Sequence, residues 1–169
     1  HLNESDCLLG LDQLHDLRLV TSQGPEMAIS HELVRQTVYQ GLASTRRCWL
    51  HAQVADFLQS LAEPVPPDEL AVHYHHAGAR DRARLFATVA ADRAESAGAI
   101  PEALRFLRIA REHSTDPEEV ADLIGRMGHL NYLHQNLEEA APLLELAAQR
   151  FRRQGETAQA LVAEIERID

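Results

Sequence analysis

The chain has 169 residues, a formal net charge of −10 and no lysine, because all 16 basic residues are arginine. The missing lysine excludes a complete Walker A loop, a protein-kinase site and Schiff-base chemistry within the chain, since each needs a lysine amine. The acidic charge disfavours direct binding to nucleic acid, which normally selects basic surfaces.

Hydrophobic residues make up 45% of the sequence but aromatic residues only 5%, which favours helices packed through small side chains over a β-sandwich. No run of about 18 apolar residues and no signal peptide is present, so we expect a cytoplasmic protein without membrane contact. Cys7 and Cys48 lack metal-site spacing and are interpreted as free thiols. Because the chain begins with histidine, we expect it to be part of a longer protein.

The first predicted domain covers residues 1–62. It begins with a helix that has leucine at every third position, at Leu8, Leu11, Leu14 and Leu17. The segment "RLVTSQGPEMAIS" has a Gly-Pro turn between two apolar runs and predicts a β-hairpin. Helices are predicted at 31–42 and at 45–62, the second behind an N-cap at Ser44. This order of elements predicts a partial winged-helix-like domain.

A DNA-binding winged-helix transcription regulator is the alternative function. In such a domain the helix before the hairpin would be the recognition helix. That helix contains Asp12 and Asp16 but no arginine. Because contacts to phosphate supply most of the affinity for DNA, we expect a protein-interaction role instead.

A proline-rich linker is predicted at residues 63–68, where Pro64, Pro66 and Pro67 prevent helix formation. Residues 69–169 are predicted to form helical repeats with a period of 37 residues. The segment "GAIPEALRFLRIA" aligns with "QNLEEAAPLLELA", so that Glu102, Ala103, Leu107 and Ala110 recur as Glu139, Ala140, Leu144 and Ala147. With Gly128 placed 12 residues before Ala140, this spacing predicts an α-α superhelix of tetratricopeptide-like hairpins.

The sequence of the repeat half makes two further predictions and leaves one question open. Asp116 is predicted to cap a helix that starts at Pro117, with Glu119 completing a capping box. The helix at 80–97 could pair with the helix before it or with the one after it, and the sequence leaves both open. A third unit is expected to start near Thr157 and to be cut off at the C-terminus.

The succession of "ISHELVRQTVYQGLASTRRCWLHAQVADFL" and "ELAVHYHHAGARDRARLFATVAADRAESAGAIPEALRFLRIA" resembles one segment of the bacterial STAND-class signal-transduction ATPases, of the MalT and AfsR kind. In that class a winged helix and a tetratricopeptide array follow the nucleotide-binding domain. The resemblance implies a non-catalytic regulatory segment. Its implied partners are the adjacent nucleotide-binding domain and a protein or small-molecule effector on the repeats. Its implied cofactor, ATP or ADP, would bind the parent protein.

The resemblance also implies a cofactor-binding role for His31 as a sensor of the ADP phosphate in the full-length protein. Ser30, His31 and Glu32 match a motif of the form hydrophobic-His-acidic, although Ser replaces the apolar residue. A histidine beside the free N–H groups of a helix N-terminus also suits an anion. The alternative for His31 is a hydrogen bond to a neighbouring loop. Arg35, one turn later, could join the site or form a surface ion pair.

The remaining polar residues carry no predicted site. Arg46 and Arg47 are expected to contact an acidic partner or solvent. His73, His75 and His76 form a cluster that could suggest zinc, and His73 and His76 can share one helix face. No cysteine or second His-acid pair accompanies them, so no metal site is predicted. No catalytic constellation is recognisable from spacing, and we expect the chain not to be an enzyme.

Overall fold

The computed structural model describes residues 3–24, 26–61 and 63–154. Within these ranges the chain forms eight helices and one two-stranded antiparallel sheet, which confirms the prediction of a mostly α-helical chain with a small hairpin. None of the helices described has the length and apolar character needed to cross a membrane. The predicted third repeat unit near Thr157 lies outside the described residues.

The elements follow one another with short connections. In chain order they are α1 Glu4–Asp16, β1 Val20–Gln23, β2 Glu26–Ile29, α2 Glu32–Gly41, α3 Ser44–Ser60, α4 Pro67–Ala77, α5 Arg80–Ser96, α6 Ile100–His113, α7 Pro117–Leu133 and α8 Leu137–Gln154. Residues 63–66 of the predicted linker are non-helical, whereas Pro67 and Asp68 already belong to α4, because proline is tolerated in the first turn of a helix.

The chain divides into two compact units, one up to Arg47 and the other from Cys48 onward. This division falls inside α3, whereas the boundary predicted from the prolines lies at residues 63–68. The physical reason is that the second half of α3 packs on the repeat half. Ala55 is completely buried and forms a cluster with Leu70, Tyr74 and Ala83.

The first unit contains α1, the hairpin, α2 and the start of α3. The side chain of Asn3 caps α1 by accepting a hydrogen bond from the backbone N–H of Asp6, at 2.8 Å. In the hairpin Val20 pairs with Ile29. Among the residues whose burial is described up to Arg47, Val20 is the only buried hydrophobic side chain. The described part of the first unit therefore contributes almost no buried apolar core.

The second unit is a linear array in which each helix from α4 to α8 packs against the next one. Helix α5, whose pairing the sequence left open, packs against both α4 and α6. The contacts are lined by alanine, and Ala87, Ala91 and Ala103 are completely inaccessible to solvent. Small side chains let two helix axes approach closely, so alanine forms much of the core.

The helices of the second unit recur at the predicted period. Helix α7 begins 37 residues after α5, and α8 begins 37 residues after α6. The connecting turns match as well, because Gly98 and Gln135, also 37 residues apart, both have positive φ, at 71° and 59°. The side chain of Asp116 caps α7 by accepting from the N–H of Glu118, as predicted. The carboxylate of Glu119, which was predicted to complete a capping box, instead bonds Arg84 on α5. The pair α7–α8 thus repeats the pair α5–α6.

Helices α7 and α8 pack tightly at Gly128. A Cβ atom at this position would lie 2.8 Å from the side chain of Leu144 and 3.2 Å from its backbone nitrogen. One turn later Asn131 is buried, and its amide donates to the carbonyl of Met127 at 2.8 Å. Asn136, in the turn before α8, donates in turn to the side chain of Asn131. This satisfies a polar group that would otherwise be costly to bury.

Candidate functional site

The predicted phosphate sensor His31 lies at the N-cap of α2. Its backbone is extended, with φ −135° and ψ 130°, and its side chain makes no capping hydrogen bond. The imidazole is exposed to solvent. The side-chain oxygen of the neighbouring Ser30 is buried and has no hydrogen-bond partner. The structure thus places an exposed imidazole beside a helix N-terminus, where the dipole favours an anion.

Arg35 forms the surface ion pair that the sequence analysis considered as its alternative role. Its guanidinium donates two hydrogen bonds to the carboxylate of Glu32, at 2.7 and 2.5 Å. The Arg35 guanidinium, together with the Gln36 amide, lowers the pKa of Glu32 to about 2. The carboxylate therefore stays ionised near neutral pH. Arg35 would have to leave Glu32 in order to contact a phosphate at His31.

Arg47 has a structural role that the sequence analysis missed. Its guanidinium donates to the carbonyl of Leu42 at 2.7 Å and lies 5.4 Å from the centre of the Tyr39 ring. Further contacts reach the carbonyls of Tyr39 and Gln40. These carbonyls belong to the C-terminal end of α2, whose last acceptors lack helical partners. Arg47 therefore caps α2, whereas Arg46 is exposed.

A group of histidines, which we call the histidine cluster, lies where α3, α4 and α6 meet in the second unit. Its members are His51, His73, His75, His76 and His113. Two hydrogen bonds join imidazoles of different helices. The Nδ1 atoms of His51 and His73 are 3.1 Å apart, and Nδ1 of His75 is 2.9 Å from Nε2 of His113.

The environment of three members of the cluster, His51, His76 and His113, favours the neutral imidazole. Burial lowers the pKa of His51, and the neighbouring His76 and His73 lower it further. The pKa of His76 is lowered by burial and by His75, His73 and Arg105. That of His113 is lowered by burial, His75 and Arg80, against an opposing effect of Glu112. A neutral imidazole offers one N–H donor and one acceptor nitrogen, as hydrogen bonds between imidazoles require.

One part of the cluster brings together three groups able to hold a metal ion. Nitrogen atoms of His75 and His113 and a carboxylate oxygen of Glu112 all lie within 4.8 Å of one another. From sequence, His75 was weighed only together with His73 and His76 on its own helix, and its neighbours Glu112 and His113 were not recognised. The contact between α4 and α6 brings the group together across 37 residues of sequence, which spacing along one helix does not reveal.

A second polar network in this unit joins α3, α4 and α5. The buried hydroxyl of Tyr74 donates to Gln59 at 2.9 Å and accepts from Arg82 at 2.9 Å. Arg82 also bonds the carboxylate of Asp56 at 2.6 Å. Burial raises the pKa of Tyr74. The network has a structural role, since each of these side chains bonds another one across the contacts between α3, α4 and α5.

Comparison with known proteins gives no match, whether among family models, curated proteins or solved structures.

Proposed function

We propose that this chain is a non-catalytic regulatory and protein-interaction segment of a larger ATP-dependent signalling or transcription regulator. Its first unit is a partial winged-helix-like domain that contacts the nucleotide-binding domain of that protein. Its second unit is a tetratricopeptide-like scaffold for a protein or small-molecule effector. The segment couples a nucleotide-driven switch to the repeat array.

The proposal rests on one observation, namely that the described part of the first unit buries almost no apolar side chain. Helix α2 has no buried residue, and Leu33 on it is 77% exposed. Leu17 at the end of α1 is 68% exposed, and Leu8 and Leu9 are also exposed. Burial of apolar surface is the main force that stabilises a folded domain. A unit that leaves this much apolar surface in water is expected to be completed by another protein surface.

The second unit supports the scaffold half of the proposal through ion pairs between alternate helices. Arg84 on α5 bonds Glu119 on α7 at 2.6 Å. Arg126 on α7 contacts Asp92 and Glu95 on α5, each at 2.6 Å. Contacts between a helix and the second helix after it are typical of stacked helical hairpins, which offer extended binding surfaces.

Thiol accessibility tests the proposed contact with a neighbouring domain. Cys7 on α1 and Cys48 on α3 are exposed in the present chain. In the longer natural protein that the proposal requires, alkylation of Cys7 should be slower than in the isolated chain, because the neighbouring domain covers α1. Each thiol is measured alone in a variant with the other replaced by serine. Equal rates of Cys7 alkylation in the two proteins would contradict the proposal.

The role of His31 is tested separately, by His31→Val in the longer protein. A charge-assisted hydrogen bond to phosphate contributes about 1.5–3 kcal/mol, so its loss should shift the ADP-bound state roughly ten- to a hundredfold. We expect faster release of ADP and higher activity without effector. His134→Val, which changes an exposed histidine at the end of α7 in the second unit, is the matched control. Unchanged ADP release in His31→Val would remove His31 from the switch.

The acidic character of α1 argues against the alternative function, a DNA-binding regulator. Helix α1 contains Asp6, Asp12 and Asp16 and no arginine, and acidic side chains on a recognition helix repel the phosphates that supply most of the affinity for DNA. A salt-sensitive complex of the chain with duplex DNA would favour this alternative.

A further inference from the structure

We propose that His75, Glu112 and His113 bind one divalent transition-metal ion, of which Zn²⁺ is the representative. The three residues come from two helices of the second unit. His75 lies in the last turn of α4, and Glu112 and His113 are the final two residues of α6. Their ligand atoms already lie within 4.8 Å of one another.

The distances require little rearrangement. Zinc binds imidazole nitrogen at about 2.0–2.1 Å, so two nitrogens on one ion lie about 3–3.4 Å apart. The ring nitrogens of His75 and His113 that face each other are 2.9 Å apart. If these two nitrogens moved apart by a few tenths of an ångström, a zinc ion could take the place of the proton that they share. The carboxylate of Glu112 would be the third ligand, and water would complete the coordination.

The donor set selects the class of metal. Two imidazoles and one carboxylate suit zinc and neighbouring late transition metals, whereas magnesium and calcium prefer sites made of oxygen atoms. His75 and His113 are half-buried, and Glu112 is exposed. An ion can therefore enter from solvent, while the two histidines are held in place by the packing of α4 and α6.

The electrostatic setting of the site favours a cation. The site lies at the C-terminal ends of two helices, α4 and α6, each of which carries about half a negative charge from the backbone dipole. Arg80 near His113 opposes a cation. The carboxylate of Glu112 compensates for this arginine, and the net charge of the chain is −10. Without a metal, the same two histidines form a hydrogen-bonded pair.

The test is titration of the full chain with Zn²⁺ by calorimetry. Any polyhistidine tag is cleaved off first. Bound metal is then removed with a chelator, and the chelator is removed before the titration. We expect one ion per chain and, at about a hundredfold excess over Kd, a rise in melting temperature of about 5 °C or more. His75→Ala and His113→Gln should each weaken binding at least about tenfold, and Glu112→Gln should weaken it less. The same site should bind Co²⁺ with a visible absorption band.

Three controls separate this site from other zinc ligands. His134→Ala, which removes an exposed histidine at the end of α7, should leave the affinity unchanged. His73→Ala should also leave it unchanged. Replacing Cys7 and Cys48 with serine should not abolish binding, although exposed thiols can take up zinc. Circular dichroism verifies that each variant is folded. Absence of binding, or binding that survives His75→Ala and His113→Gln, would overturn the proposal, as would dependence on His73 or on the cysteines.

Discussion

At the scale of single residues, Gly128 sets the distance between α7 and α8. A Cβ atom there would meet Leu144 at 2.8 Å, well inside van der Waals contact, and the nearby backbone nitrogen limits how far that residue can move. Gly125 lies on the same helix, one turn earlier. A Cβ atom at Gly125 would approach the ring of Phe151 no closer than 3.4 Å, which is an ordinary contact.

We therefore predict that Gly128→Ala destabilises the chain relative to Gly125→Ala. Both substitutions gain the same helix propensity, about 1 kcal/mol. Only Gly128→Ala overpacks the contact, at a cost of about 1–3 kcal/mol. The measurement is the free energy of unfolding in urea, followed by circular dichroism. Equal stabilities of the two variants would show that α8 moves freely away from α7 at this point.

At the scale of helices and turns, the connections within the two hairpins are equivalent but use different residues. Gly98 connects α5 to α6 and Gln135 connects α7 to α8, and both have a left-handed backbone. A side chain costs free energy in this conformation, whereas glycine does not. Gln135 is exposed, and a Cβ atom at Gly98 would meet no atom within 4 Å. The backbone alone therefore decides the preference at both positions.

We predict opposite effects from exchanging these two residues. Gln135→Gly should raise the free energy of unfolding by up to about 1 kcal/mol, and Gly98→Gln should lower it by about the same amount. The double variant should lie near the original chain, because the two turns are far apart in sequence and do not share partners. A lower stability of Gln135→Gly would mean that the Gln135 side chain makes a contact that outweighs its backbone strain.

The helical elements could be predicted from sequence more fully than the groups they bring together. The period of 37 residues, the cap at Asp116 and the buried positions of Ala103 and Ala140 follow from local pattern, because helix faces and caps depend on residues close in sequence. The contact of His75 with His113 depends on how α4 approaches α6, and no local sequence pattern predicts that approach.

The same limit applies to Arg47 and to the domain boundary. Arg47 caps α2 because the turn at Leu42 brings α3 back towards the end of α2. The position of Arg47 near the start of its own helix did not predict this contact. The boundary predicted from prolines differs from the division inside α3. Prolines indicate where a helix stops, whereas a compact unit is determined by packing such as that of Ala55.

At the scale of the whole molecule, burial is very unequally distributed, and the histidine cluster lies within the well-packed second unit. The folded second unit holds His51, His76 and His113 with a lowered pKa, mainly through burial. In the unfolded chain these imidazoles return to the ordinary value of 6.5. Below this pH the unfolded chain binds protons that the folded chain does not bind. Stability linked to these histidines is therefore fully present above about pH 6.5 and is lost as the pH falls below it.

We predict that the metal-free chain has a lower free energy of unfolding at about pH 5.5 than at about pH 7.5. His51→Gln should reduce this difference, because glutamine keeps a polar side chain at the contact with His73 but does not titrate. Glu32 does not interfere, since its carboxylate, with a pKa lowered to about 2 from 4.5, stays ionised across this range. The measurement is urea unfolding at both pH values with a chelator present, and His129→Gln, at an exposed position of α7, is the control. The prediction is wrong if the pH difference persists in full in His51→Gln, or if acid stabilises the original chain.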